Sequence, residues 1–377
     1  MFVMAIILTV IIFACGFLVL YPYAVYPFLL RRLPTKAVTP DPSATCSCTL
    51  VFCAFNEGRI MSEKLANIAA LKARHPDLQV LAFDDGSKDD TAAQILARPD
   101  LLELVQGGGR NGKAHGMKLL AARATGDVIV FTDANVVLQE DAIDCIRAWH
   151  GDPKVGGLCG TLRYIGAQES VTASVGGIYW RLEEYLKMQE SRSGNVMGAD
   201  GSIFTIRRAL YPDFPDTVLD DLTVSMATVF AGKRLIKVDD VVAYERLVAA
   251  RGEEFARKIR IAARAYHTHL HLRPQLAQMA AVDRFKYASR KIVRWFGGLF
   301  LILGTASFLL LCTIVSLWLG LAATTGLAAM IWLAPRLGFK PLDTVLEISL
   351  ALIATLLGVI KALRGQTIVT WTPAKTR

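Results

Sequence analysis

The sequence predicts an α/β protein in which a doubly wound, mostly parallel sheet is held between N-terminal and C-terminal transmembrane helices. Three observations predict it. From residue 48 to 135, short apolar runs alternate with amphipathic helical stretches. The runs end on Asn, Asp or Glu, and apolar stretches of membrane length stand near both ends of the chain. The run Val128 to Thr132 is unbroken and ends on Asp133-Ala134-Asn135. That pattern fits a strand buried on both faces, which delivers oxygen donors to the carboxyl edge of the sheet.

Composition narrows the class. The chain has 377 residues, 53% hydrophobic and 20% charged, too apolar for a soluble enzyme alone and too charged for a membrane bundle alone. Its net charge of +9 is concentrated. Residues 283–377 hold eleven Lys or Arg against Asp283, Asp343 and Glu347, a surplus of eight. Positive charge flanking apolar segments suits anionic lipid heads, so the expected partners include membrane lipids and no nucleic acid. The seven cysteines form no CxxC pair, and Cys15 and Cys312 fall in apolar segments. Reduced thiols and a cytosolic domain are expected.

In chain order, residues 1–20 lack a basic leader and a small-residue cleavage site, so they read as an anchor. Arg31, Arg32 and Lys36 then place the next domain in the cytosol, and Pro34, Pro40 and Pro42 mark a linker over 34–47. Strands are expected over Thr49–Phe55, Val80–Phe83, Leu101–Val105 and Val128–Thr132. Helices are expected over Ile60–His75, after Asp89 or Asp90, and over Lys113–Ala124. Right-handed crossovers bring the strand ends at 56, 84 and 133 to one edge. Beyond Asp141 a strand is expected at Val155–Leu162, a helix at Ile178–Glu190, a strand at Ser202–Ile206 and a helix at Asp220–Phe230. Phe255–Leu272 is basic and amphipathic, as for a helix on a membrane surface. Residues 295–335 read as a two-helix hairpin turning at Gly320–Gly326, with Leu342–Leu363 a third apolar helix. Three later spans would put Lys361, Arg364, Lys375 and Arg377 outside, against the charge rule. Either one segment does not cross or the tail breaks the rule, and a non-crossing or re-entrant segment is expected.

Several groups bear chemistry, each beside a plainer alternative. Asp84-Asp85-Gly86-Ser87 is a strand end that opens a helix, either a capped turn or a site accepting hydrogen bonds from a base or ribose. Gly107 to Lys113 has the GxxxxGK spacing of a phosphate loop, but position 114 is Ala where Mg²⁺ binding needs Ser or Thr, so ATPase chemistry is excluded while Lys113 remains a phosphate contact. Asp220-Asp221 begins a helix, which favours acids there in any case, or forms a general base, since adjacent like charges raise a carboxyl pKa. Gly198-Ala199-Asp200-Gly201-Ser202 is a small-residue turn, either a plain loop or a surface for a bulky ligand. Of His267, His269 and His271 only the outer two share a helical face, which argues against zinc.

Taken together these motifs resemble the family 2 glycosyltransferases, specifically membrane-anchored bacterial enzymes related to cellulose, chitin and hyaluronan synthases. The likeness covers about residues 48–295. Cys53 to Glu57 resembles the first strand motif, Asp84 to Thr91 the nucleotide motif and Gly112-Lys113 the family's Gly-Lys. Asp133-Ala134-Asn135 resembles D-x-D, with Asn135 in place of the second carboxylate. Gly198 to Ser202 with Arg207-Arg208 resembles the acceptor-side turn, and Leu219-Asp220-Asp221 resembles T-E-D. Arg257-Lys258-Ile259-Arg260 echoes Q-x-x-R-W without its Gln and Trp.

The resemblance implies a GT-A fold and an inverting, metal-dependent hexosyltransferase using a nucleotide sugar, expected to be a UDP-sugar. It implies nucleotide contacts at Ala54, Asn56, Glu57, Asp84, Asp85, Lys113, Asp133, Arg257 and Arg260, and Mg²⁺ or Mn²⁺ at Asp133 and Asn135. Acceptor contacts are implied at Gly198, Ala199, Asp200 and Gly201, with Asp221 as base and Asp220 as the alternative base. Single transfer to a lipid-linked saccharide at the cytosolic face of the bacterial inner membrane is expected, in exopolysaccharide, capsule or envelope glycan synthesis. A processive synthase with export, or a non-catalytic scaffold keeping the fold, are the alternatives. The expected division is an anchor over 1–30, a catalytic domain over 45–250, amphipathic interface helices over 251–294, transmembrane helices over 295–365 and a tail over 366–377.

Overall fold

The computed structural model describes residues 1–165, 171–246, 251–337 and 340–366. It opens with α1 (Phe2–Leu20) and α2 (Val25–Arg32). Strand and helix then alternate through β1 (Cys48–Ala54), α3 (Gly58–Arg74), β2 (Gln79–Asp84), α4 (Thr91–Leu96), β3 (Glu103–Gln106), α5 (Lys113–Arg123) and β4 (Val128–Thr132). The next part runs β5 (Val136–Leu138), α6 (Ala142–His150), β6 (Val155–Ile165), α7 (Val171–Arg192), β7 (Ile203–Arg207), α8 (Asp220–Phe230) and β8 (Arg234–Arg246). Helices complete it: α9 (Arg251–Gln278), α10 (Ala281–Tyr287), a π-helical turn (Ala288–Ile292), α11 (Val293–Trp295), α12 (Gly297–Val315), α13 (Leu317–Leu337) and α14 (Lys340–Leu363). Residues 367–377, with Lys375 and Arg377 and nearly all of the expected tail, lie outside the described residues.

One eight-stranded sheet has the order β3-β2-β1-β4-β7-β6-β8-β5. Its first four strands are parallel, as alternating strands and helices require. All residues of β1 and β4 are buried, because helices cover both faces. Leu50 and Phe52 meet α3 and α6 on one face, while Val51 and Cys53 meet α5 and α8 on the other. β7 then enters antiparallel between β4 and β6. It starts at the carboxyl edge of β4, with Ile203 paired to Thr132. That reversal sets the turn before β7 beside Asp133.

β8 has no counterpart in the expected elements. Its apolar pattern is interrupted by Asp239-Asp240, where the pairing with β6 shifts register, so no uniform alternation marks it in the sequence.

Among the described residues three helices are long and apolar enough to cross a membrane: α1, α12 and the stretch Pro341–Leu363 of α14. At 19, 19 and 23 residues they match the length a bilayer needs. Close packing joins them. A Cβ on Gly304 of α12 would stand 3.1 Å from Cys15 of α1, and one on Gly298 would stand 2.5 Å from the Leu352 carbonyl of α14. The expected hairpin turn at Gly320–Gly326 is corrected: the chain breaks at Ser316, whose backbone is extended, and Gly320 and Gly326 lie inside α13. There the Thr324 and Thr325 hydroxyls bond back to the Gly320 and Leu321 carbonyls, so glycine does not end the helix. The apolar part of α13, Leu317–Leu333, is shorter than the three spans. Toward its end α14 packs on α9, where a Cβ at Gly358 would lie 2.6 Å from Ala262, so Lys361 is on the sheet's side of the spans.

A buried ionic seam fastens the sheet domain to this assembly. Tyr26 of α2 donates to Glu190 of α7 at 2.6 Å, Arg290 of the π-helical turn bonds Glu190 at 2.5 Å and Glu183 at 3.0 Å, and Arg294 also pairs with Glu183. Each charge has a partner, which is the condition for keeping ions in a core.

Candidate active site

The carboxyl edge of the parallel strands gathers the expected groups. Asp84, at the end of β2, accepts the Ser87 amide at 3.2 Å. Asp85 is fully buried and one carboxylate oxygen accepts the amides of Asn111 (2.7 Å) and Gly112 (2.9 Å), while Arg110 lies 3.3 Å from the other. Asp85 thus anchors the Gly107–Gly112 loop. Gly86 has φ +79°, and a Cβ there would approach the Gly109 carbonyl carbon to 3.0 Å, so glycine lets the two loops touch. Asn56 itself is left-handed at φ 53°, its side chain accepting the Lys88 amide at 2.8 Å. The Ala54 carbonyl accepts the Asp85 amide at 3.0 Å, and the buried Glu57 donates its amide to Thr91 at 2.9 Å.

The loop delivers Lys113 to the first turn of α5, where its ammonium bonds Asp133 at 2.6 Å and stands 4.0 Å from Asp220. Burial opposes that charge, but Asp133 and Asp220 outweigh it and hold the lysine above its ordinary pKa. Beneath Asp133, the buried Lys64 of α3 donates to the carbonyls of Asp133 (3.1 Å) and Val136 (2.6 Å). Burial pushes Lys64 down to about 7, against the pull of Asp133.

Asn135 donates its side-chain amide to Glu245 of β8 at 2.7 Å. Among the described residues no three His, Cys, Asp or Glu side chains gather as a metal cage. Asp133 keeps 34% of its side chain exposed beside the Lys113 contact. The part-exposed Asp133 carboxylate therefore suits a hard cation that would take most of its oxygens from a bound diphosphate and water.

The turn before β7 closes the site from the other side. A Cβ on Gly201 would lie 3.2 Å from the Lys113 ammonium and 3.4 Å from an Asp221 carboxylate oxygen, so this glycine backs onto both. Ser225 ties the turn to α8 by accepting the Ala199 amide at 3.0 Å and donating to the Asp221 carbonyl at 2.6 Å. Asp200 is held by Lys187, which keeps its carboxyl below the ordinary value although burial works the other way.

Asp220 and Asp221 start α8. Asp220 is buried, with one carboxylate oxygen lacking a hydrogen bond among the described residues. Asp221 accepts the Leu222 amide at 2.6 Å. Burial first, and then the neighbouring Asp220, raise its pKa to about 6 against the pull of Lys113. A carboxyl poised there is ionised at neutral pH and still basic enough to take a proton.

Most of the expected residues meet at this edge. Arg257 and Arg260 lie on α9, and the charge of Arg260 is disfavoured by burial and by its neighbours Arg257 and Arg264. α9 braces the site: Thr268 accepts the Leu219 amide at 2.8 Å, and Arg264 donates to the Val218 carbonyl at 3.1 Å. Its histidines serve packing, with His267 3.3 Å from Thr217 and His269 stacked on Tyr287. Lys64, Ser225 and Glu245 escaped the sequence reading. Lys64 had a signal, since Met61, Lys64, Leu65 and Ile68 follow the buried helical stripe of α3.

Residues 49–214 match the family described as Glycosyl transferase family 2. The chain is 21% identical over 230 residues to a poly-beta-1,6-N-acetyl-D-glucosamine synthase of Staphylococcus epidermidis, covering 56% of this chain and 55% of the relative. It is 27% identical over 161 residues to an N-acetylglucosaminyltransferase of Azorhizobium caulinodans, covering 41% of this chain and 40% of the relative. The chain thus spans about half the length of the curated relatives it matches. A mannosyltransferase from Pyrobaculum calidifontis, solved in complex with GDP-Man and Mn²⁺, superposes with a TM-score of 0.75 at 24% identity over 95% of this chain and 99% of that one. The fold is therefore shared through the apolar helices as well as the sheet.

Proposed function

We propose that this chain, whose residues 49–214 are a family 2 glycosyltransferase domain on a GT-A fold, is an inverting transferase moving a hexosyl unit from a UDP-sugar to a lipid-linked saccharide. The observation that carries the reading is Asp221, raised to about 6 and set across Gly201 from Lys113. Asp221 takes the proton of the acceptor hydroxyl as that oxygen attacks the anomeric carbon, and the bond to the diphosphate breaks on the opposite side. Lys113 meets the negative charge that the leaving diphosphate gathers. Asp84, together with the backbone of the loop that Asp85 anchors, faces the nucleoside. Asp133 and the Asn135 amide oxygen would hold Mg²⁺ or Mn²⁺, which supplies charge neutralisation at the diphosphate. The turn Gly198 to Gly201 faces the acceptor. We place the catalytic domain on the cytosolic side of the bacterial inner membrane: three crossings by α1, α12 and α14 leave Arg31, Arg32, Lys361 and Arg364 on that side, as the charge rule requires.

Labelled UDP-N-acetylglucosamine, the donor suggested by both curated relatives, is offered to membranes holding the full chain, with GDP-mannose in a parallel arm and Mn²⁺ or Mg²⁺ in each. Label entering lipid-extractable product, lost in Asp221→Asn, is expected. No product from any common UDP-sugar, or full activity in Asp221→Asn, contradicts the proposal.

A further inference from the structure

The π-helical turn Ala288–Ile292 presents one lysine that neither the ionic seam nor the proposed chemistry uses. Its neighbours are committed: Arg290 to Glu183 and Glu190, Arg294 to Glu183, Lys187 to Asp200 and Glu184. Lys286 donates to the Glu190 carbonyl at 2.9 Å. Lys291 has no hydrogen bond or ion pair among the described residues, although it is half-buried. Burial first, and then Arg290, hold its pKa below the ordinary lysine value, against the more distant Glu183, Asp200 and Glu190. A wide turn inserted in a helix re-aims a side chain, and such turns collect at functional sites.

Lys291 is aimed at the turn facing the base. Its ammonium lies 3.8 Å from where a Cβ on Gly198 would stand. Gly198 has φ +97°, and that Cβ would strike Leu222 at 2.7 Å, so the position stays glycine. At the other end of the turn, Gly201 backs onto Asp221. Three residues separate the two glycines, so their Cα atoms are no more than about 11 Å apart. Lys291 and Asp221 therefore stand near the two ends of one short turn. Lys291 also lies six residues before Gly297, where the membrane-length helix α12 begins. Tyr266, Tyr287 and Trp295 cluster beside that start, as aromatic side chains do at a lipid–water boundary.

We propose that Lys291 binds the phosphate that joins the acceptor's sugar to its lipid, holding that anion about one sugar away from the hydroxyl facing Asp221. This inference rests on the acceptor-side reading of the turn. A lipid source is favoured over a soluble phosphate because the lysine stands at the base of a span. An unpaired, partly desolvated ammonium gains a charge-assisted hydrogen bond when a phosphate arrives.

The test is a titration of the detergent-solubilised full chain with farnesyl phosphate, farnesol and inorganic phosphate, in wild type, Lys291→Gln and Lys291→Arg. Wild type is expected to bind farnesyl phosphate, with affinity lower by about tenfold or more in Lys291→Gln. Lys291→Arg should stay within about threefold, since it keeps the charge. Farnesol should bind all three proteins alike and weakly. Undiminished binding of farnesyl phosphate by Lys291→Gln overturns the assignment, as does displacement of farnesyl phosphate by inorganic phosphate at equal concentration, which would mark a site for free anions. If Lys291→Gln does not fold, equal binding of farnesol and farnesyl phosphate by wild type overturns it and a clear preference for the phosphate upholds it. No nucleotide sugar is present, so this result stands apart from success or failure of the transfer assay.

Discussion

Asp84-Asp85 at the end of β2 and Asp220-Asp221 at the start of α8 are two adjacent carboxylate pairs, and the fold gives them opposite chemistry. At the first pair, backbone amides of Ser87, Asn111 and Gly112 neutralise the charge, and Asp85 becomes a loop anchor. At the second, Leu222 supplies one amide to Asp221, and the Lys113 ammonium stands 4.0 Å from Asp220. Carboxylates surrounded by N–H donors become structure, whereas buried carboxylates left with each other become bases. Composition is identical in the two pairs, so the difference lies in how many amides the surrounding backbone aims at them.

The largest break in that contrast is Asp221→Asn, which removes the proposed proton acceptor. Its kcat is expected to fall about 10²–10⁴-fold with donor affinity retained, measured by initial rates beside nucleotide titration. Asp85→Ala should instead act through folding. It leaves two amides without their acceptor, so a loss of about 1–3 kcal/mol should appear in denaturant unfolding, with a weakened donor KM. If Asp85→Ala left stability unchanged, the anchor reading would fail. Gly201→Ala places a methyl 3.2 Å from Lys113 and 3.4 Å from Asp221, and a drop of about tenfold in kcat with unchanged melting is expected. The smallest effect concerns Asn135→Asp. Restoring the second carboxylate sets it against Glu245, now 2.7 Å from the amide nitrogen, and should cost about 1 kcal/mol of stability without added metal. A rise in stability under those conditions would show that Glu245 does not face this position as described.

The parallel half of the sheet was legible in the sequence because β1, β2 and β4 are short apolar runs ending on carboxylates or amides, and that local pattern is also their structural role. α8 begins and ends where expected, at Asp220 and Phe230. What stayed hidden depends on partners distant in the chain. β8 is broken by Asp239-Asp240, and its register is set by β6. The partner of Asn135 comes from β8, and Lys291 lies beside the turn before β7, neither of which sequence spacing records. α9 reads as a surface helix from its charges, but Thr268 and Arg264 brace the loop before α8, and Ala262 meets Gly358 of α14. Glycines at 320 and 326 read as a turn because glycine breaks helices in water, whereas in an apolar helix the break came at Ser316.

The central claim is that Asp220 and burial together poise Asp221 as the base. The pH dependence of kcat for sugar transfer, compared between wild type and Asp220→Asn, tests it most directly. Protonation inactivates the base, so wild-type activity should rise with pH through about 6. Removing the neighbouring negative charge makes Asp221 easier to ionise, so the acidic limb of Asp220→Asn should move to lower pH. An acidic limb absent from wild type, or left in place by Asp220→Asn, would contradict the account.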